Sequence, residues 1–169
     1  TVGISELLFE EDFANFPISS TIIFSTGTAV CLPNSYTKTP NSRARYISHA
    51  SVSNGILMHI FTESRPAEFF TPSLFFENGK NYNMYISASK VNTNKNRVGM
   101  TVDRIIDNAT TNIIFDSSNN ITFDNPISIA GTGTDAVFRF YVSVSNANET
   151  EYNLKNIKIE SVAENVVLS

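Results

Sequence analysis

From Val137 to Ser145 the side chains alternate without a break. Val137, Arg139, Tyr141 and Ser143 fall on one side, and Phe138, Phe140, Val142 and Val144 on the other. Successive side chains of an extended chain point to opposite faces, so this pattern defines a strand with one apolar face turned inward. The segment NLKNIKIESV (153–162) repeats it, with Leu154, Ile157, Ile159 and Ser161 inward and Asn156, Lys158 and Glu160 outward. No stretch holds a helical i, i+3, i+4 pattern for more than about two turns.

Further strands are predicted at 6–13, 21–24, 44–50, 55–62, 80–89, 97–105, 112–116 and 121–123. Turn signals separate them: PNS at 33–35, TPNS at 39–42, SNG at 53–55, ENGKN at 77–81, NTNKN at 92–96, DNATTN at 107–112 and GTGT at 131–134. Asn and Gly tolerate a positive φ there, and Asn, Ser and Thr side chains bond to their own backbone. Roughly ten short strands with no helical crossover predict an all-β, antiparallel two-sheet β-sandwich, a jelly roll. Apolar strands near both ends, 6–13 and 153–162, predict termini that lie side by side in one sheet.

Composition narrows the class. The 169 residues, 41% hydrophobic and 17% charged with a formal net charge of −4, suit one domain spanning 1–169. The chain is too apolar for disorder and has no apolar run long enough to cross a membrane as a helix. Nor is it basic enough for an electrostatic nucleic-acid binder; Arg43, Arg45, Lys90, Lys95 and Arg97 are scattered. Asn, Ser and Thr number 20, 20 and 16. They gather in turns and at outward strand positions, the hydrogen-bonding skin of a many-stranded sandwich.

Candidate chemistry is sparse. Cys31 lies in the apolar run AVCL and reads as a small buried hydrophobe, so no disulfide framework is present. His49 and His59 have no ligand-spaced companions and no GxSxG elbow accompanies them. GTGT lacks the Lys and following helix of a phosphate loop. The carboxylates that could serve glycoside hydrolysis are Glu63 with Glu68, or Asp103 with Asp107, and both pairs sit near turns where acids are ordinary. No catalytic residue is therefore assigned. Glu10, Glu11 and Asp12 offer carboxylate oxygens to a structural calcium, with Asn153 and Asn156 on the adjoining terminal strand completing the shell. Three Asn-x-Ser/Thr triplets, at Asn108, Asn120 and Asn148, are what chance gives in so Asn- and Thr-rich a chain.

Aromatic rings are the remaining ligand candidates, because a rigid flat ring can stack on the apolar face of a sugar. Tyr36 lies in the polar loop PNSYTKTPNS and, with Asn41, Arg43 and Arg45, is the expected glycan-contact group. Tyr46, Tyr82 and Tyr141 are further rings expected on an outer sheet face.

Three segments carry a family resemblance. LLFEEDF (7–13) resembles the opening of the cleaved-adhesin and MAM-like jelly rolls of Bacteroidota surface proteins. FFTPSLFFENGKNYNMYISASK (69–90) is similar to their central pattern, in which TP precedes a strand, a Gly-Lys turn follows and an aromatic alternating strand comes next. FRFYVSVSNANETEYNLKNIKIESV (138–162) is similar to their closing strands and to those of carbohydrate-binding jelly rolls. The resemblance implies a non-catalytic module of a secreted or surface-attached protein, engaged in carbohydrate binding or adhesion, with a glycan or a cell-surface protein as partner. The first residue is Thr rather than Met, which is read as a mature chain whose signal or anchor has been removed. Members commonly carry an Asp just before the final strand, tied to calcium; Lys155 and Asn156 stand there instead, and the chain has no Trp. The alternatives are a purely structural module of a larger surface protein and a small glycoside hydrolase.

Overall fold

The computed structural model describes residues 2–14, 19–23, 44–45, 47–49, 55–60, 67–90, 99–116, 118–143 and 150–166. Among them there is no helix, and the chain forms an antiparallel two-sheet sandwich.

The first sheet has six strands. Its order is β11 (Ala109–Asp116), β10 (Gly99–Ile106), β14 (Thr134–Ser143), β7 (Ala67–Phe70) and β4 (Ala44–Arg45), with β8 (Leu74–Phe76) also paired to β14. The second has eight. Its order is β12 (Asn120–Ile121), β9 (Asn81–Lys90), β15 (Thr150–Ser161), β6 (Ile56–Ile60), β5 (Ile47–His49) and β3 (Ser19–Ile23); β13 (Ile127–Ala130) also joins β9, and β2 (Leu7–Glu11) joins β15. A two-stranded ribbon pairs β1 (Val2–Ile4) with β16 (Glu164–Val166), Val2 opposite Val166. The ends of the chain thus meet, and β2 and β15 adjoin within one sheet, as the apolar terminal strands led one to expect.

The alternation predicted for 137–145 is realised as far as β14 extends, to Ser143, with Phe138, Phe140 and Val142 fully buried; 144–145 lie outside the described residues. In β15 the inward residues change from even to odd numbers between Leu154 and Ile157. Inward pointing on both sides of that change needs one extra residue, and the register with β9 shifts there. Ring contacts stitch the two sheets: Phe76 meets Tyr82 edge-on at 4.9 Å, and Phe13 meets Phe69 edge-on at 5.4 Å. Such pairs add about 0.5–1.5 kcal/mol each beyond their area.

Two turns show why particular residues are required. Asp107 and Asn108 both have positive φ, 49° and 66°, and close β10–β11 as a two-residue hairpin. The strand therefore resumes at Ala109, three residues earlier than the sequence suggests. Gly131 packs against the 77–80 turn so closely that a β-carbon would stand 1.9 Å from the Glu77 carbonyl oxygen. GTGT is thus a turn, locked to its neighbour by bonds from Gly131 N–H to Lys80 O (2.7 Å) and from Gly133 N–H to Phe76 O (2.8 Å).

Sequence patterning omits β1, β7, β8, β13 and β16. Strand β7 is buried at all four positions and gives no alternation to read. Between β7 and β8, Thr71-Pro72 interrupts the ladder, since Pro has no N–H to donate. Thr71 fills the gap: its N–H donates to Phe138 O at 2.9 Å and its hydroxyl accepts the Phe138 N–H at 3.0 Å.

Candidate ligand-binding face

The outer face of the six-stranded sheet carries two polar rows. Register aligns Phe115, Thr101, Tyr141, Glu68 and position 45 across β11, β10, β14, β7 and β4. The adjacent row is Asn112, Asp103, Arg139 and Phe70. Directly paired residues point to one side of a sheet. These rows therefore face away from Val102, Phe138, Phe140 and Phe69, which fill the core.

Arg139 organises the face. Its Nε donates to Glu68 Oε2 at 2.6 Å, and a terminal guanidinium nitrogen lies 3.9 Å from Asp103 Oδ2. Asn112 Nδ2 donates to Asp103 Oδ1 at 3.1 Å. Glu68 and Asp103 are only 3% and 5% exposed. Carboxylates so far from water are tolerated only when paired and hydrogen-bonded, which this network provides. The guanidinium also lies 3.9 Å from the centre of the Tyr141 ring and 5.9 Å from that of Phe70, within cation–π range. Tyr141, a ring expected on an outer face, is thereby held rigid.

Phe115 is the exposed end of the first row, at 56%. Its ring lies across Gly99, where a β-carbon would come within 2.8 Å of the ring edge and 2.6 Å of the Asp116 carbonyl oxygen. Only glycine leaves room here for the edge of this ring, a known use of glycine beside an aromatic in sheets. Phe115 and Tyr141 are two strands apart, about 9.6 Å at the usual spacing. The face therefore presents the exposed Phe115 ring with exposed Asn112 and half-buried Arg139 and Tyr141 nearby, a ring and hydrogen-bonding groups of the kind a ligand with apolar C–H faces and hydroxyls requires, while Glu68 and Asp103 lie buried beneath and hold Arg139 in place.

The other residues singled out in the sequence are distributed as follows. Tyr36, Asn41, Arg43, Tyr46, Cys31, Glu63 and Asn148 lie outside the described residues. Arg45 alone of its group lies in a described strand, its backbone in register with Glu68 of β7. His49 and His59 fall in β5 and β6. Tyr82 faces inward, contrary to expectation: in β9 the inward set is Tyr82, Met84, Ile86 and Ala88, and the Tyr82 hydroxyl accepts the Glu77 N–H at 2.9 Å. The outward ring of β9 is Tyr85, stacked on Phe123 at 5.2 Å. Lys158 Nζ stands over both rings, at 5.6 and 6.0 Å.

The expected calcium ligands do not assemble as a cage. Glu10 pairs with outward Lys158 while Glu11 pairs with inward Ile157, so the two acids lie on opposite faces of the sheet. Glu11 Oε2 accepts the Phe13 N–H at 2.8 Å and Asp12 Oδ1 accepts the Ala14 N–H at 3.0 Å, which fixes the turn after β2. Asn153 and Asn156 lie in β15, each with a buried Oδ1 lacking a hydrogen-bond partner among the described residues. No group of three His, Cys, Asp or Glu side chains able to hold a metal ion occurs among the described residues. A hard cation wants six to eight oxygens, and this set does not fit one.

The two carboxylate pairs weighed for hydrolysis are also regrouped. Asp107 closes the β10–β11 hairpin, whereas Glu68 and Asp103, one from each pair, meet through Arg139. Sequence spacing could not find this group, because its members come from three strands far apart in the chain.

No family model and no curated protein matches this chain. Among solved structures, insecticidal crystal protein Cry2Aa is similar at a TM-score of 0.37 and 16% identity, over 69% of this chain and 18% of that one. A likeness of that size adds nothing to the fold or the function read from the strands themselves.

Proposed function

We propose that this chain is a non-catalytic carbohydrate-binding module of a secreted or cell-surface protein, binding through the outer face of its six-stranded sheet. The observation that carries the reading is Phe115, an exposed ring with its edge against Gly99, in one row with Tyr141 and beside the Arg139–Glu68–Asp103 network. A pyranose ring stacks its C–H face on Phe115, and its hydroxyls bond to Asn112 and Arg139, the accessible polar groups of the neighbouring row. The resemblance to Bacteroidota surface modules points to the same class of ligand. Hydrolysis is disfavoured because Arg139 stands on the strand between Glu68 and Asp103, where a glycosidase keeps open space for the scissile bond. A glycan-array comparison of the native chain with Phe115→Ala tests the reading. Binding that the substitution abolishes supports it, and an array without a hit favours a purely structural module instead.

A further inference from the structure

A second concavity lies between the sheets, independent of the outer face. It has a volume of about 220 Å³. Its floor is apolar and drawn from both sheets: Ile86 of β9, Met100 and Val102 of β10, Ile114 of β11 and Ile127 of β13. An apolar protein cavity of about 150 Å³ is enough to admit benzene, so this one has room for a ring or short chain with a polar end. The lip comes from the connection that carries the chain from one sheet to the other, and it includes Asp116, Ser118 and Asn120.

The lip is built and it is anionic. The hydroxyl of buried Tyr152 donates to Ser118 O at 2.6 Å, anchoring the connection to the eight-stranded sheet. Asp116 Oδ1 accepts the Ser118 N–H at 2.9 Å and also the Ser118 hydroxyl, which fixes the carboxylate at the mouth. No Lys or Arg among the described residues forms an ion pair with Asp116. Its negative charge is felt at Tyr152, whose phenol is pushed up to about 12 by burial and then by Asp116. An apolar floor below one fixed carboxylate, without an ion-pair partner among the described residues, is complementary to an amphiphile with a positive head.

We propose that the inter-sheet cleft binds small cationic amphiphiles, placing an ammonium group at Asp116 and an apolar body against Met100, Val102 and Ile114. The test uses the full chain, isotopically labelled, titrated with 2-phenylethylamine and with its neutral counterpart 2-phenylethanol near neutral pH. Amide shifts at Met100, Val102, Ile114 and Ser118, with the amine bound at least tenfold more tightly than the alcohol, are expected. Asp116→Asn removes that preference while leaving the alcohol's affinity unchanged, and Ile114→Phe, which fills the cleft, weakens both probes. Phe115→Ala, on the opposite face of β11, leaves amine binding intact. Equal affinity for amine and alcohol overturns the proposal, as does the absence of shifts at these residues with millimolar amine. Both of those results come from the native chain and need no variant to fold.

Discussion

Phe115 and Gly99 form one unit: the exposed ring rests on the strand at the position where glycine leaves no β-carbon to lift it. A single methyl group at position 99 meets both the ring edge, at 2.8 Å, and the Asp116 carbonyl oxygen, at 2.6 Å. The second obstacle is backbone and cannot swing aside. Gly99→Ala is expected to tilt Phe115 off the sheet, to lower stability by about 1–3 kcal/mol as overpacking does, and to abolish glycan binding. Phe115→Ala, at an exposed position, is expected to abolish binding while changing stability by no more than about 0.5 kcal/mol. Denaturant unfolding and array binding of the two variants, measured side by side, check this.

Arg139 is the shared partner of two buried carboxylates. Arg139→Ala removes the guanidinium from both and is expected to cost about 1.5–3 kcal/mol, the worth of a hydrogen bond to a charged group. Arg139→Lys keeps the charge but loses the planar stacking on Tyr141, and should fall between the native chain and the alanine variant. Urea denaturation of the two variants gives the ordering.

Thr71 replaces a missing strand partner at the Pro72 break. Thr71→Val keeps shape but removes the acceptor for the Phe138 N–H, deep in the core. A loss of about 1–3 kcal/mol is expected, the cost of one unsatisfied buried donor. Amide exchange should also quicken at Phe138.

The Tyr152 phenol ionises at about 12 in the folded chain against 10.0 for the free group, first because it is buried and then because Asp116 is near. The folded value is raised, so its contribution to stability is complete below pH 10 and is lost as the pH rises from 10 through about 12. The loss is on the order of 2 kcal/mol. Tyr152→Phe should flatten that alkaline decline, while lowering stability at neutral pH by about 1 kcal/mol through loss of the bond to Ser118 O. Thermal melting of the native and variant chains between pH 8 and about pH 12 reads both effects.

The sandwich was legible because strands such as β9 bury alternate side chains fully and the others only in part. Phe138, Phe140 and Val142 alternate with Arg139, Tyr141 and Ser143, and β15 even records its bulge as a change of parity between Leu154 and Ile157. Strand β7 was hidden for the opposite reason: Ala67, Glu68, Phe69 and Phe70 are all buried, and a strand covered on both faces has no period. The same two-sided burial concealed the candidate site. Glu68 and Asp103 look like ordinary acids near turns until β14 sets Arg139 between them. Tyr141 was readable as an outward ring from its own strand, but Phe115 was not, because its setting depends on Gly99 across the sheet. Tyr82 misled because Asn81–Lys90 holds tyrosines of both parities, and only pairing with β15 decides which one faces the core.

The most direct test of carbohydrate binding by the six-stranded sheet is a titration of the labelled chain with the oligosaccharide bound most tightly on the array, followed through amide shifts. The expected result is a contiguous set of shifts at Gly99, Thr101, Asp103, Phe115, Arg139 and Tyr141, absent in Phe115→Ala. Shifts confined to the eight-stranded sheet, or none at saturating oligosaccharide, would contradict it.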